Sequence, residues 1–231
     1  MACEFLTQAT LKKLSTGEIW QRQINDESIF DVSLNAGQLM ICQPEIEESF
    51  ISFSQKLMAY CEPLALKFPF IEFVQPQEFH STLLTIFNQQ NEQFKLQRPV
   101  LLAWCHEIAQ IFNQTKRIEI SFNNVVLTSN GSVILTGVSK ELEQFRQKVY
   151  QQIPIDNTLH KNIIHITLGR LCENTSSAEM KTLYDELELS RSSLMFYDIN
   201  TSIVIRHPKF VVSKGSLSSE VMMGTTSEFN Q

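Results

Sequence analysis

His80-Ser81-Thr82-Leu83 and His165-Ile166-Thr167-Leu168 are two copies of one pattern, His-x-Thr-Leu, 85 positions apart in a chain of 231 residues. A histidine side chain with its ordinary pKa of about 6.5 holds either protonation state near neutral pH, so a neutral and a protonated pair form a natural base and acid. In-line displacement at phosphorus needs both. The neutral ring takes a proton from water, or from a ribose hydroxyl in the reverse direction, and the imidazolium protonates the departing ribose oxygen. The hydroxyls of Thr82 and Thr167 can donate to the non-bridging phosphate oxygens as charge builds there. This scheme calls for no cofactor and no metal.

The tetrapeptides must sit on elements that aim His and Thr together. Side chains of a β-strand alternate between faces, so each histidine shares a face with the threonine two residues on. Phe79–Phe87 and Ile163–Leu171 both read as strands. In the second, Ile164, Ile166 and Leu168 point one way while His165, Thr167 and Gly169 point the other. Arg170 has the opposite parity from His165 and is expected outside the pocket unless a bulge re-aims it.

The surrounding pattern alternates strand and helix. Gln38–Cys42 suits a short strand; a helix follows, with Pro44 in its first turn and Ile46, Phe50, Phe53, Leu57 and Tyr60 on one stripe. Phe68–Val74 is strand-like, with Pro76 between it and the first motif. From Pro99, helical spacing returns at Leu101, Trp104, Ile108 and Ile111. Ile118–Leu127 and Val133–Val138 form a hairpin through Asn130-Gly131, a dipeptide that tolerates positive φ. Ser139 is placed to cap a helix carrying Leu142, Phe145 and Val149, and Ser176-Ser177-Ala178-Glu179 is a capping box opening another. Ile199–Ile205 and Lys209–Ser213 read as closing strands.

Composition narrows the partners. The net charge of −6 and a pI near 5.4 argue against a protein that coats duplex DNA with a broad basic face, leaving a short RNA end or a nucleotide. There is no run of eighteen apolar residues, and Met1–Leu14 carries Glu4, Lys12 and Lys13 rather than a basic-then-apolar leader, so no membrane is expected and the compartment is read as the cytoplasm. Five scattered cysteines without a Cys-x-x-Cys pair indicate neither a disulfide framework nor a zinc site. His106 falls off its helical stripe, and His160 and His207 flank strands without metal-ligand spacing, so all three read as surface or structural. Tyr197, near a late strand, and Arg206, at its end, are weaker candidates for stacking on a base or meeting a phosphate.

With two His-x-[Ser/Thr]-hydrophobic motifs, and with His165-Ile166-Thr167-Leu168-Gly169-Arg170 preceded by a hairpin and a helix, the chain resembles the 2H phosphoesterase superfamily, the LigT-like or RNA 2′,3′-cyclic phosphodiesterase group. The resemblance covers about Gln38 to Ser213. It implies an α+β, bilobal fold in which two pseudo-symmetric lobes with antiparallel sheets form a concave cleft. His80 and His165 would be catalytic, and Thr82 and Thr167 would bind phosphate. The implied activity is metal-independent hydrolysis of a 2′,3′-cyclic phosphate or related phosphodiester of a nucleotide or RNA terminus. The alternative is a non-catalytic protein of the same fold that binds a nucleotide or RNA end. Residues 1–36 are then an N-terminal extension, 37–215 the phosphoesterase-like domain, and 216–231 a polar C-terminal tail, in a chain taken as a monomer by default. Ser81 departs from the apolar residue expected opposite the first histidine.

Overall fold

The computed structural model describes residues 36–40, 48–76, 79–88, 98–172, 174–190, 201–206, 208–214 and 216–225. Their order is β1 (Ala36–Met40), α1 (Glu48–Lys67), β2 (Ile71–Phe73), β3 (Thr82–Asn88), α2 (Arg98–Gln114), β4 (Ile118–Leu127), β5 (Ser132–Val138) and α3 (Lys140–Gln152). A 3₁₀ turn (Asn157–Leu159), β6 (Ile164–Leu171), α4 (Ser177–Ser190), β7 (Thr201–Ile205), β8 (Lys209–Lys214) and β9 (Ser216–Thr225) complete it. The class is α+β, and the strands pair antiparallel in two sheets, of order β3-β1-β8-β9 and β2-β6-β5-β4-β7. The first motif belongs to the four-stranded sheet and the second to the five-stranded one.

The apolar stripes read from the sequence are the ones that bury. Phe50, Phe53 and Leu57 of α1, Ile108 of α2, Leu142, Phe145 and Val149 of α3 and Leu183 of α4 join Ile120, Phe122, Leu135, Ile166 and Leu168 in one continuous core. Phe53 stacks on Phe122 with ring centroids 5.4 Å apart, tying α1 to β4, and Phe112 meets Phe145 edge-on at 5.8 Å, tying α2 to α3. Ser139 caps α3, its hydroxyl accepting from the Leu142 N–H at 3.2 Å. Ser176 and Glu179 form the reciprocal box at α4, the carboxylate accepting from the Ser176 N–H at 2.7 Å and the hydroxyl from the Glu179 N–H at 3.3 Å.

Several boundaries differ from expectation for local reasons. Helix α1 continues through Pro63 to Lys67, because Cys61 and Leu64 extend its buried stripe past the lost donor. Pro44 and the helix start read there lie outside the described residues. Phe68 belongs to the end of α1, its N–H donating to the Leu64 carbonyl at 2.8 Å, so β2 begins only at Ile71. In the β4–β5 hairpin only Gly131 has positive φ, at 77°. The Gly131 N–H reaches the Thr128 carbonyl at 3.0 Å, giving a three-residue loop rather than a two-residue turn with two left-handed positions. Beyond Ser216 the segment read as a polar tail supplies β9, paired with β8. Among the described residues no helix is long and apolar enough to cross a membrane.

Candidate functional site

Burial follows the alternation expected at both motifs. In the first, Phe79, Ser81 and Leu83 are buried while His80 and Thr82 are half-buried; in the second, Ile164, Ile166 and Leu168 are buried while His165 and Thr167 are half-buried. Each His–Thr pair thus shares the face turned away from its neighbours' packing. The first strand starts later than expected. Thr82 opens β3, and His80 lies in the extended lead-in after Phe79, whose N–H donates to the Pro76 carbonyl at 3.3 Å.

Both motif strands carry a β-bulge at the same motif position. Met40 of β1 pairs with Thr82 and Leu39 with Leu84, so Leu83 is the extra residue; Ile134 of β5 pairs with Thr167 and Val133 with Gly169, so Leu168 is the extra residue. In each case the leucine of His-x-Thr-Leu is the residue that the partner strand skips. A bulge puts two successive side chains on one face, and Leu83 with Leu84 are both fully buried as that requires.

The second bulge changes the reading of Arg170. Cross-strand partners share a face, and β5 presents Thr136, Ile134 and Ser132 opposite His165, Thr167 and Arg170. Arg170, expected on the far side by simple parity, is re-aimed to the face of His165 and Thr167, where it is exposed. Gly169 then turns toward the core, and a Cβ there would lie 2.9 Å from the Glu72 carbonyl oxygen and from Ile71 Cγ2. The glycine is needed for the close passage of β2.

The two motif strands, one in each sheet, lie close together. Among the described residues β3 is the outer strand of its sheet, and β2 pairs in register with Gly169, Arg170 and Leu171 of β6, the Val74 N–H adding a bond to the Leu168 carbonyl at 2.8 Å. The imidazoles are close enough for the charge of His80 to act on His165. Burial first, then the positive charges of Lys161, His80 and Arg146, hold His165 well below its ordinary value, down to about 4. His165 is therefore neutral in the unliganded protein at physiological pH. Among the described residues the charges that act on His165 are positive, in a chain whose net charge is −6.

Arg146 is the functional candidate that periodicity missed. It lies on the buried face of α3 beside Leu142, Phe145 and Val149, only 4% exposed. Its Nε donates to the Leu83 carbonyl at 2.7 Å, and an Nη to the carbonyls of Ile163 at 3.2 Å and Thr82 at 3.5 Å. A charged residue on an apolar stripe, three positions after Glu143, was the signal available, and it reads equally as a helix-face ion pair. Burial lowers its pKa from a value so high that the guanidinium stays charged.

The other candidates are placed elsewhere. Arg206 is exposed after β7, three strands along the sheet from β6, on the order of 14 Å away. Tyr197 and His207 lie outside the described residues. His106 is exposed on α2, with a ring nitrogen 3.0 Å from Gln110 Nε2. His160 stacks on Tyr150 at 3.6 Å, and the Tyr150 hydroxyl accepts from the Lys161 N–H at 3.0 Å, fixing the segment that carries Lys161. The Ser81 and Thr85 hydroxyls are buried without a hydrogen-bond partner among the described residues. Burial pushes the Cys61 and Cys105 thiols up to about 12, which leaves them inert. Among the described residues no three His, Cys, Asp or Glu side chains are grouped to hold a metal ion.

The fold is shared with a solved structure. A conserved protein of unknown function from Agrobacterium tumefaciens, ATU0111, superposes with a TM-score of 0.55 at 11% identity, over 84% of this chain and 87% of that one. TT0787 of Thermus thermophilus gives 0.46 at 14% identity, over 82% and 96% of the two chains. Kluyveromyces marxianus Usb1, solved with uridine monophosphate, gives 0.42 at 12% identity, over 82% and 98%. No family model and no curated protein matches the sequence.

Proposed function

We propose that the chain is a phosphodiesterase of the 2H type, opening a 2′,3′-cyclic phosphate or a related phosphodiester at a nucleotide or RNA terminus. The observation that carries the reading is the arrangement of the twin motifs. Two His–Thr pairs belong to neighbouring strands of the two sheets, each backed by a bulge at the same leucine, with one imidazole within the field of the other. On this reading the two sheets are the pseudo-symmetric lobes of one cleft, and the cations around His165 receive an anionic substrate.

Water attacks phosphorus, forming one P–O bond as the bond to the 2′ or 3′ ribose oxygen breaks. His165, neutral in the empty site, suits the base that takes the water's proton; His80 supplies the proton that the departing oxygen needs. Thr82 and Thr167 donate to the non-bridging oxygens. Arg170, on the same face, is placed to meet a further phosphate or the chain leading away from it.

The test is incubation of the full chain, with EDTA present, with 2′,3′-cyclic nucleotides and with RNA ending in a cyclic phosphate, beside His80→Ala and His165→Ala. Turnover by the wild type that both variants lose supports the reading. Equal activity in all three proteins, or activity removed by EDTA, overturns it. Nucleotide binding without turnover on any of these substrates replaces it with the binding-protein alternative.

A further inference from the structure

We infer that Arg146 is the positioning residue of the site, a buried guanidinium that locks the two histidine motifs in register across the gap between the sheets. The inference rests on the two-histidine reading above and explains how residues from separate sheets keep a fixed spacing.

A bulge takes its extra residue out of the ladder, and among the described residues β3 pairs in its sheet with β1 alone, so the Leu83 carbonyl calls for a donor from outside the sheet. Arg146 Nε fills that need at 2.7 Å. The same planar fork reaches Thr82, the threonine of the first motif, and Ile163, two residues before His165. One rigid group thus holds the backbone of both motifs within a few ångströms of their reactive side chains. Its own position is fixed because α3 buries it between Leu142, Phe145 and Val149, tied in turn to α2 through Phe112.

Lysine cannot replace it. A single ammonium on a flexible stem satisfies one or two of these carbonyls, whereas the fork donates to acceptors in two directions at fixed angles. The charge also matters, since it adds to that of Lys161 and His80 at His165, while Tyr150 and Glu143 are the groups whose charges act back on the guanidinium. Arg146 touches backbone rather than substrate, so its effect passes through the spacing of the histidines.

The test is a nitrogen-detected NMR titration of the histidine rings in the full chain, in phosphate-free buffer. It compares wild type, His80→Ala, Arg146→Lys, Arg146→Met and the two His80→Ala double variants. Removing His80 relieves His165 of a positive neighbour, so the wild-type His165 midpoint rises in His80→Ala. If Arg146 sets the spacing, that rise shrinks at least twofold in both Arg146 backgrounds, including Arg146→Lys, which keeps the charge. The same rise in the Arg146→Lys background as in wild type overturns the inference. Should Arg146→Met fail to fold, Arg146→Lys alone decides.

A cyclic-phosphate substrate adds a second reading, with kcat of Arg146→Lys down on the order of tenfold and KM within about twofold. Loss of coupling in a protein that turns over no substrate leaves the clamp standing and removes the phosphodiesterase reading. Preserved coupling in an active enzyme does the reverse.

Discussion

Lowering the pH from 7.5 to 4 should destabilise this protein through His165 specifically. Its pKa falls from 6.5 to about 4 on folding. At 1.36 kcal/mol for each unit, the two protonation states differ by up to about 3 kcal/mol, a large share of the stability of a typical domain. The sign follows from proton counting. Above pH 6.5 the ring is neutral both folded and unfolded and contributes nothing to the slope. Between 6.5 and about 4 the unfolded chain binds a proton that the folded chain refuses, so stability falls as pH falls. Below about 4 both states are protonated and the loss is complete.

Urea unfolding at half-unit intervals, for wild type and His165→Gln, measures this directly. Carboxylates and the other histidines titrate in both proteins, so they largely cancel in the difference. The Gln variant should gain on wild type by up to about 3 kcal/mol across that window and then level off. Parallel stability curves would show that His165 is neither buried among cations nor shifted, and the case for a neutral base would fall with it.

The kinetic counterpart is an acid limb of kcat/KM that lies below pH 5, displaced from the ordinary histidine range, with a basic limb from the group that must stay protonated; an acid limb at pH 6.5 would contradict the environment of His165. Either His80→Ala or His165→Ala should cost 10²–10⁴-fold in kcat, measured with a cyclic nucleotide under saturating conditions. Thr82→Val and Thr167→Val should each cost on the order of 10²-fold in kcat with the fold intact by circular dichroism, as expected for donors to developing negative charge. Gly169→Ala should lower stability by about 1–3 kcal/mol in urea unfolding, because its Cβ would press on the β2 backbone at Glu72; an unchanged midpoint would mean that β2 can move aside.

Much of this architecture was legible in residue pattern. The β4 limits and the caps at Ser139 and Ser176 follow from local rules, and the structure has them where those rules put them. Burial of Phe50, Phe53, Leu57, Phe145 and Val149 follows from helical spacing alone. Alternation likewise gave the shared face of each His–Thr pair. What pattern could not give depends on partners distant in sequence. The passage of α1 through Pro63 reflects burial of Cys61 and Leu64, and the role of Gly169 depends on β2, nearly a hundred residues earlier. Arg146 is invisible to periodicity, because its partners Thr82, Leu83 and Ile163 are carbonyls, which every residue has.

The bulges show most clearly why the repeated tetrapeptide extends to its fourth residue. His and Thr alone define a face; the leucine decides what happens after it. At Leu83 and Leu168 the extra residue turns a large apolar side chain inward beside its successor, and both leucines are fully buried. A strand so anchored cannot slip by one residue without carrying a leucine to the half-buried face, so the bulge fixes the register of the histidine three positions before it. It also re-aims the residue three positions after the threonine, which brings Arg170 to the His165 face and the buried Thr85 to the face of Thr82. The extra carbonyl is claimed in both motifs by a donor from outside the bulged pair of strands: Arg146 Nε at Leu83, and at Leu168 the Val74 N–H, which continues the β2–β6 pairing, at 2.8 Å. Two short sequences, each with its own local irregularity and its own external tie, thus present equivalent pairs from different sheets, and the requirement for an in-line acid and base on opposite sides of one phosphorus is the chemistry that such an arrangement fits.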